Sequence, residues 1–221
     1  MKKVIVINGS PRKNFNTAQL LKEAQKGAES TGADVEYINL VDLNFKGCMS
    51  CFACKRKGAN LGGLCAIKDE LRPVLEKILS ADAVIIGSPI YYSYPTGMFR
   101  NLIERMIFAG GTYMTDESGG WKRNLSHDIP VGLIFTMNVP EDLMPQYNYP
   151  TILGANEMYL KMIYGYCETL NSCDTYQFSD YSKYDCDVFD EAHKRQVKET
   201  QFPKDLAKAF DLGKRLIEMN K

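Results

Sequence analysis

The stretch KVIVINGSPRKNFNT, Lys3 to Thr17, decides the fold. Lys3 to Ile7 read as an apolar run without alternation, the pattern of a strand covered on both faces, and Asn8-Gly9-Ser10 supply a tight turn at its carboxyl end. Asn16 and Thr17 then open TAQLLKEAQKGAES, in which Leu20, Leu21, Ala24 and Ala28 share one helical face and Gly32 gives a stop. The unit is strand, loop, helix.

The same alternation runs down the chain. DVEYINLV (34–41) reads as a strand, DELRPVLEKILSA (69–81) as a helix and DAVIIGSPIYY (82–92) as a strand with its loop. TGMFRNLIERMIFAG (96–110) follows as a helix and IPVGLIFTMNV (129–139) as a strand. A helix is expected within 151–170, a fifth strand at DTYQFSD (174–180) and a last helix over 203–220. Strands alternating with helices imply right-handed crossovers and a mainly parallel sheet covered on both faces. The expectation is one α/β domain over residues 1–221, a three-layer sandwich around a five-stranded sheet.

Composition sets outer limits. With 45% hydrophobic residues the 221-residue chain can bury a full core, and 27 lysines and arginines balance 27 aspartates and glutamates. No global field therefore draws it to nucleic acid or to an anionic membrane. No apolar run approaches the roughly 20 residues that span a bilayer, and the first residues lack the pattern of a signal peptide, so a cytoplasmic location is expected. Seven cysteines suit a complete disulfide framework poorly.

Two loops carry chemistry. GSPRKNFNT (9–17) offers the small donors Ser10, Asn16 and Thr17, the charged fork of Arg12 and an open helix N-terminus, which together make an anion site suited to phosphate. It is neither a Walker loop nor G-x-G-x-x-G, and Asn16 or Thr17 as an ordinary helix N-cap is the plainer alternative. GSPIYYSYPTGMFRN (87–101) bends at its glycines and prolines and crowds Tyr91, Tyr92 and Tyr94. With a strand order of 2-1-3-4-5 the two loops flank one crevice beyond the carboxyl ends of the strands.

KGCMSCFACKRKGANLGGLCAIKDE (46–70) holds Cys48, Cys51, Cys54 and Cys65 at C-x2-C-x2-C-x10-C. Four thiolates suit zinc or a 4Fe-4S cluster, and the three closely spaced cysteines favour the cluster. Cys167, Cys173 and Cys186 show no ligand spacing, and His127 and His193 read as surface or capping residues. Residues 46–69 form a cysteine-rich insert, and 110–128, with the one tryptophan Trp121, an irregular stretch.

Together, GSPRKNFNT and GSPIYYSYPTGMFRNLIER resemble the flavodoxin-like NAD(P)H-dependent FMN reductases, and within them the iron-sulfur flavoproteins. The resemblance covers most of 1–139 and implies the 2-1-3-4-5 flavodoxin-like fold. It implies Ser10, Arg12, Asn16 and Thr17 at the FMN phosphate, Pro89, Ile90 and Tyr91 at the ring, and Thr136, Met137 and Asn138 facing the ring from the other side. Tyr92 and Tyr94 are expected to be structural. In relatives the fourth cysteine follows sooner, whereas ten residues separate Cys54 from Cys65 here. The implied function is an NAD(P)H-dependent FMN oxidoreductase that reduces quinone-like or other small acceptors. No side chain acts as catalytic acid or base. The alternative is an iron-sulfur electron-transfer partner of ferredoxin, with a zinc-clipped, non-redox binding module behind it. A homodimer or homotetramer is implied as well.

Overall fold

The computed structural model describes residues 1–219. The parallel strands are β1 (Lys3–Asn8), β2 (Asp34–Asn39), β3 (Ala83–Tyr91), β7 (Val131–Thr136) and β8 (Cys167–Ser172). Between β3 and β7 lie a two-residue strand β4 (Tyr94–Pro95), paired back onto β3, and a small antiparallel ribbon of β5 (Gly111–Thr115) and β6 (Trp121–Arg123). The helices are α1 (Asn16–Glu29), α2 (Arg72–Leu79), α3 (Gly97–Gly110), α4 (Tyr149–Tyr164), α5 (Glu191–Thr200) and α6 (Phe202–Glu218).

The sheet runs β2-β1-β3-β7-β8. Counting parallel strands alone, that is the flavodoxin-like order 2-1-3-4-5, so the winding direction changes between β1 and β3. β1 and β3 are nearly continuous apolar runs because helices cover both of their faces. Alternate residues feed two cores. Ile5, Ile7, Val84 and Ile86 pack with α2, α3 and α4, while Val4, Val6, Ala83 and Ile85 pack with α1 and α6.

The α1 and α6 backbones nearly touch. A Cβ on Gly27 would stand 1.9 Å from the Phe210 carbonyl oxygen, and one on Gly213 would stand 1.9 Å from that of Ala24. Only glycine at both positions permits this approach.

Two expectations need correction. The fifth strand is Cys167–Ser172, not 174–180; the latter residues run on from β8 as a loop over the sheet edge. Part of the stretch 110–128 forms the β5–β6 ribbon rather than irregular chain. Glu191–Thr200, for which the sequence suggests no element, form the helix α5, whose one buried residue is Lys194. The last helix was expected to run to 220; Asn220 lies outside the described residues. Among the described residues no helix is long and apolar enough to cross a membrane.

Candidate functional site

The crevice forms where β1 and β3 part. Gly9 locks its floor by donating its N–H to the Gly87 carbonyl at 2.8 Å and accepting the Thr96 hydroxyl proton at 2.6 Å. Thr96 is also the N-cap of α3, taking the Phe99 N–H at 3.3 Å, and its own N–H goes to Ser88 Oγ at 3.0 Å. One threonine thus joins the turn after β1, the end of β3 and the start of α3.

All ten residues proposed from the sequence for a cofactor line this one crevice of about 720 Å³. Ser10, Arg12, Asn16 and Thr17 stand on one wall, Pro89, Ile90 and Tyr91 on another, and Thr136, Met137 and Asn138 on a third. The volume lies within the range of small-molecule sites, about 300 to 1,000 Å³.

Neither Asn16 nor Thr17 caps α1. The N-cap position falls on Phe15, which makes no side-chain hydrogen bond, so the first-turn amides face the crevice without a side-chain partner. The side chains are engaged elsewhere. Asn16 donates to the Tyr176 carbonyl at 2.9 Å, and Arg12 donates to that of Gln177 at 2.9 Å while its guanidinium lies 3.9 Å from the centre of the Phe15 ring. Thr17 and Thr136 share a buried hydroxyl–hydroxyl bond of 2.7 Å, and Ser10 Oγ accepts the Arg12 N–H at 3.1 Å. Arg12 keeps further N–H donors for an anion after this docking.

The third wall is held from behind. The Met137 carbonyl takes the N–H and hydroxyl of Thr175, the Val139 carbonyl takes the Asp174 N–H, and the Asn138 carbonyl takes the buried Lys194 ammonium at 2.7 Å. Lys194 also pairs with Asp174, whose other oxygen meets His193 Nε2 at 2.6 Å. Asn138 Oδ1 is left buried with no partner. An orphaned acceptor and an uncapped helix on one crevice are what a ligand with N–H donors and an anionic group would satisfy. FMN has both, so the residues present fit it.

Sequence reasoning missed part of the wall. Tyr92, read as structural, is 98% exposed at the crevice mouth and adopts a left-handed backbone with Ser93. Tyr147, Tyr149, Gln177 and Phe189 close the far side. They come from segments without spacing or turn signatures, and only the strand order brings them here.

Cys48, Cys51, Cys54 and Cys65 line a second, separate pocket with Phe108 and Arg105. The donor set fits a thiophilic metal or an iron-sulfur cluster. The void between the side chains is only about 10 Å³, and among the described residues no group of three or more His, Cys, Asp or Glu side chains stands as a ready metal cage. The loop is exposed at Cys51 and Phe52 and has left-handed residues at Ser50 and Phe52. Burial pushes the Cys54 thiol upward, with Lys55 opposing it. The Lys55 ammonium is anchored on the carbonyls of Phe108 and Gly111 at the end of α3. Cys167 and Cys173 lie apart from both sites. Burial raises both thiols, Cys173 to about 12, and holds them protonated. Cys186 and His127 are placed in neither pocket.

The sequence profile of the NADPH-dependent FMN reductases matches residues 2–138, more than half of the chain. An iron-sulfur flavoprotein of Archaeoglobus fulgidus is 42% identical over 107 residues, 48% of this chain and 50% of the relative. An iron-sulfur flavoprotein of Methanocaldococcus jannaschii is 36% identical over 103 residues, 47% of this chain and 51% of the relative. The chain spans about half the length of the curated relatives it matches. Among solved structures, an NAD(P)H:quinone oxidoreductase from Methanothermobacter marburgensis superposes with a TM-score of 0.66 over 97% of this chain and 96% of its own, at 13% identity. That likeness is one of fold.

Proposed function

The chain belongs to the NADPH-dependent FMN reductase family, and from that premise we propose that it is a redox flavoprotein which holds FMN in the crevice and oxidises NAD(P)H. The observation that carries the reading is the convergence of the ten residues on one crevice at the β1/β3 switch point. Bound FMN would supply hydride and electron chemistry at its ring, and the protein supplies binding, orientation and electrostatics.

In this reading Arg12, Ser10 and the open amides of α1 hold the phosphate, with Asn16 and Thr17 shaping the wall behind it. Pro89, Ile90 and Tyr91 lie along one side of the ring, and the orphaned Asn138 Oδ1 accepts a ring N–H. No side chain is assigned as acid or base. The crevice remains open beside Tyr92 and Tyr147, which leaves room for a quinone-like or other small acceptor. Residues 1–221 work as one flavodoxin-like unit, with 46–69 as its insert and 110–128 as a candidate lid or subunit contact. Assembly as a homodimer or homotetramer belongs to the same reading, supported by the exposed aromatic side chains at the crevice mouth.

The four-thiol pocket favours a second reading in which an iron-sulfur cluster supplies one-electron transfer and ferredoxin is the partner. Anaerobic titration of the apoprotein with FMN and with riboflavin, followed by stopped-flow mixing with NADPH and NADH, tests both. Tight FMN binding and rapid bleaching by a pyridine nucleotide support the reductase. Flavin uptake without bleaching, together with bound iron, supports the electron-transfer protein. Failure to take up FMN sinks both and leaves the binding-module reading.

A further inference from the structure

Among the described residues Arg105 is the largest that is fully buried, and it lies on the wall of the four-thiol pocket. One guanidinium nitrogen donates to Asp69 Oδ2 at 2.6 Å and to the Lys46 carbonyl at 3.2 Å, and the other donates to the Ile67 carbonyl at 3.2 Å. Lys46 precedes the first of the cysteines, and Ile67 and Asp69 follow the last. A single side chain of α3 therefore ties both stems of the insert together. Cys65 lines the same pocket as the guanidinium, whose Nε is buried with no partner.

The preceding residue of α3 serves the same loop. Glu104 Oε2 accepts the Cys48 N–H at 3.2 Å, and a Cβ on Gly47 would stand 2.5 Å from that oxygen. The backbone at the first cysteine is thus drawn against α3, with no space for a side chain beside it. A buried arginine is costly unless its charge is matched. Asp69 matches it once, yet Nε is left without a partner. Thiols that bind a metal lose their protons to solvent and bring negative charge into the pocket, which is what an unsatisfied N–H and a positive charge there would meet.

Building on the four-thiol reading above, we propose that Arg105 is the positioning residue of that site: it clamps the two stems and holds a buried positive charge against the thiolates when a thiophilic metal or cluster enters. Neighbours that orient ligands typically change metal affinity by about 10- to 100-fold when removed.

The test is an anaerobic titration of the full chain with Co²⁺ alone, following thiolate-to-cobalt absorption, with FMN uptake as the measure of correct folding. Arg105→Met is combined with Asp69→Asn so that no buried carboxylate is stranded. Wild type is expected to give a thiolate–cobalt band. The double variant should bind Co²⁺ on the order of 10- to 100-fold more weakly while taking up FMN normally. Arg105→Lys, which keeps the charge and loses the fork, should fall between them. In iron-reconstituted protein Asp69→Asn alone, which leaves the Arg105 charge unmatched, should show a higher cluster reduction potential than wild type, a shift that a packing role alone would not produce.

Equal Co²⁺ affinity in wild type and double variant overturns the proposal and leaves the four-thiol site standing. No thiolate–cobalt band in wild type sinks the four-thiol reading and the proposal with it, while FMN uptake by the same sample leaves the flavin reading intact. Should the double variant fail to take up FMN, Arg105→Lys decides: intermediate affinity supports the clamp, and unchanged affinity overturns it.

Discussion

The Thr96 hydroxyl donates to the Gly9 carbonyl oxygen at 2.6 Å, binding two loops that stand 87 positions apart in the chain. The floor of the crevice depends on that contact. Thr96→Val removes the donor to Gly9 and the cap on Phe99 while keeping the shape. The expected cost is about 2–4 kcal/mol, from one lost cap and one buried carbonyl left unpaired. Urea unfolding measures it, and a loss below about 1 kcal/mol would mean that water or a shifted backbone replaces the contact.

Gly87 faces α1 at close range: an added Cβ would lie 2.8 Å from Leu21 Cδ1 and 2.9 Å from Thr17 Cγ2. Leu21 can rotate away, but Thr17 is held by its bond to Thr136. Gly87→Ala should cost about 1–3 kcal/mol and weaken FMN uptake by displacing Thr17. A variant of unchanged stability that still binds FMN as wild type does would show that α1 yields as a whole.

The proposed phosphate contact of Arg12 predicts a difference between FMN and riboflavin. Arg12→Met should lower FMN affinity by about 1.5–3 kcal/mol, roughly ten- to a hundredfold, through loss of charge-assisted hydrogen bonds. Riboflavin, which lacks the phosphate, should bind both proteins alike. Equal losses for the two flavins would move Arg12 from the phosphate to the general support of the wall, through its bond to Gln177.

Lys194 is 2% exposed and carries the Asn138 carbonyl and Asp174 together. Lys194→Met leaves Asp174 with His193 as its remaining ion-pair partner, and the expected destabilisation is about 3 kcal/mol, as for other broken buried pairs. Calorimetry of Lys194→Met and of Lys194→Met with Asp174→Asn tests this: the second variant should recover part of the loss. Two equal losses would place the cost in the Asn138 contact instead.

Tyr37 buries its hydroxyl without a partner, and desolvation raises its pKa from 10.0 to about 12. Because the folded pKa is the higher one, the folded state favours the neutral phenol. That preference is complete below the unfolded value and is lost as pH rises from 10.0 through about 12. Tyr37→Phe should therefore be neutral or up to about 1 kcal/mol more stable at pH 7, and should lack this alkaline loss. Denaturant melts at pH 7, 10 and 11.5 decide it; parallel pH profiles for the two proteins would count against the burial argument.

The parallel strands were legible because β1, β3 and β7 are apolar runs closed by turn residues, and the crevice followed from their order. β8 was misplaced: CETLNS is only partly buried at the sheet edge and has no apolar run, whereas the residues after it contain aromatic rings that mimic one. α5 escaped because its single buried side chain is a lysine, which no apolar periodicity reports. The ten crevice residues could be named together because Ser10, Arg12, Asn16 and Thr17 share a loop with the chemistry of an anion site, and the family resemblance implied the other six. Gln177 and Phe189 could not, since neither lies in a regular element and their place depends on how the chain crosses the sheet after β8.

The near-contact of α1 with α6 bears on how the molecule is made. α1 begins at the crevice, and the side of it that carries Ala24 and Gly27 is covered by α6, which lies far later in the sequence. A nascent chain that has delivered the first strand, the turn and α1 still lacks the helix that seals them. During synthesis this wall of the crevice therefore waits on α6, and a ribosome-held chain short of α6 leaves the Ala24 and Gly27 side of α1 uncovered to solvent and to chaperones.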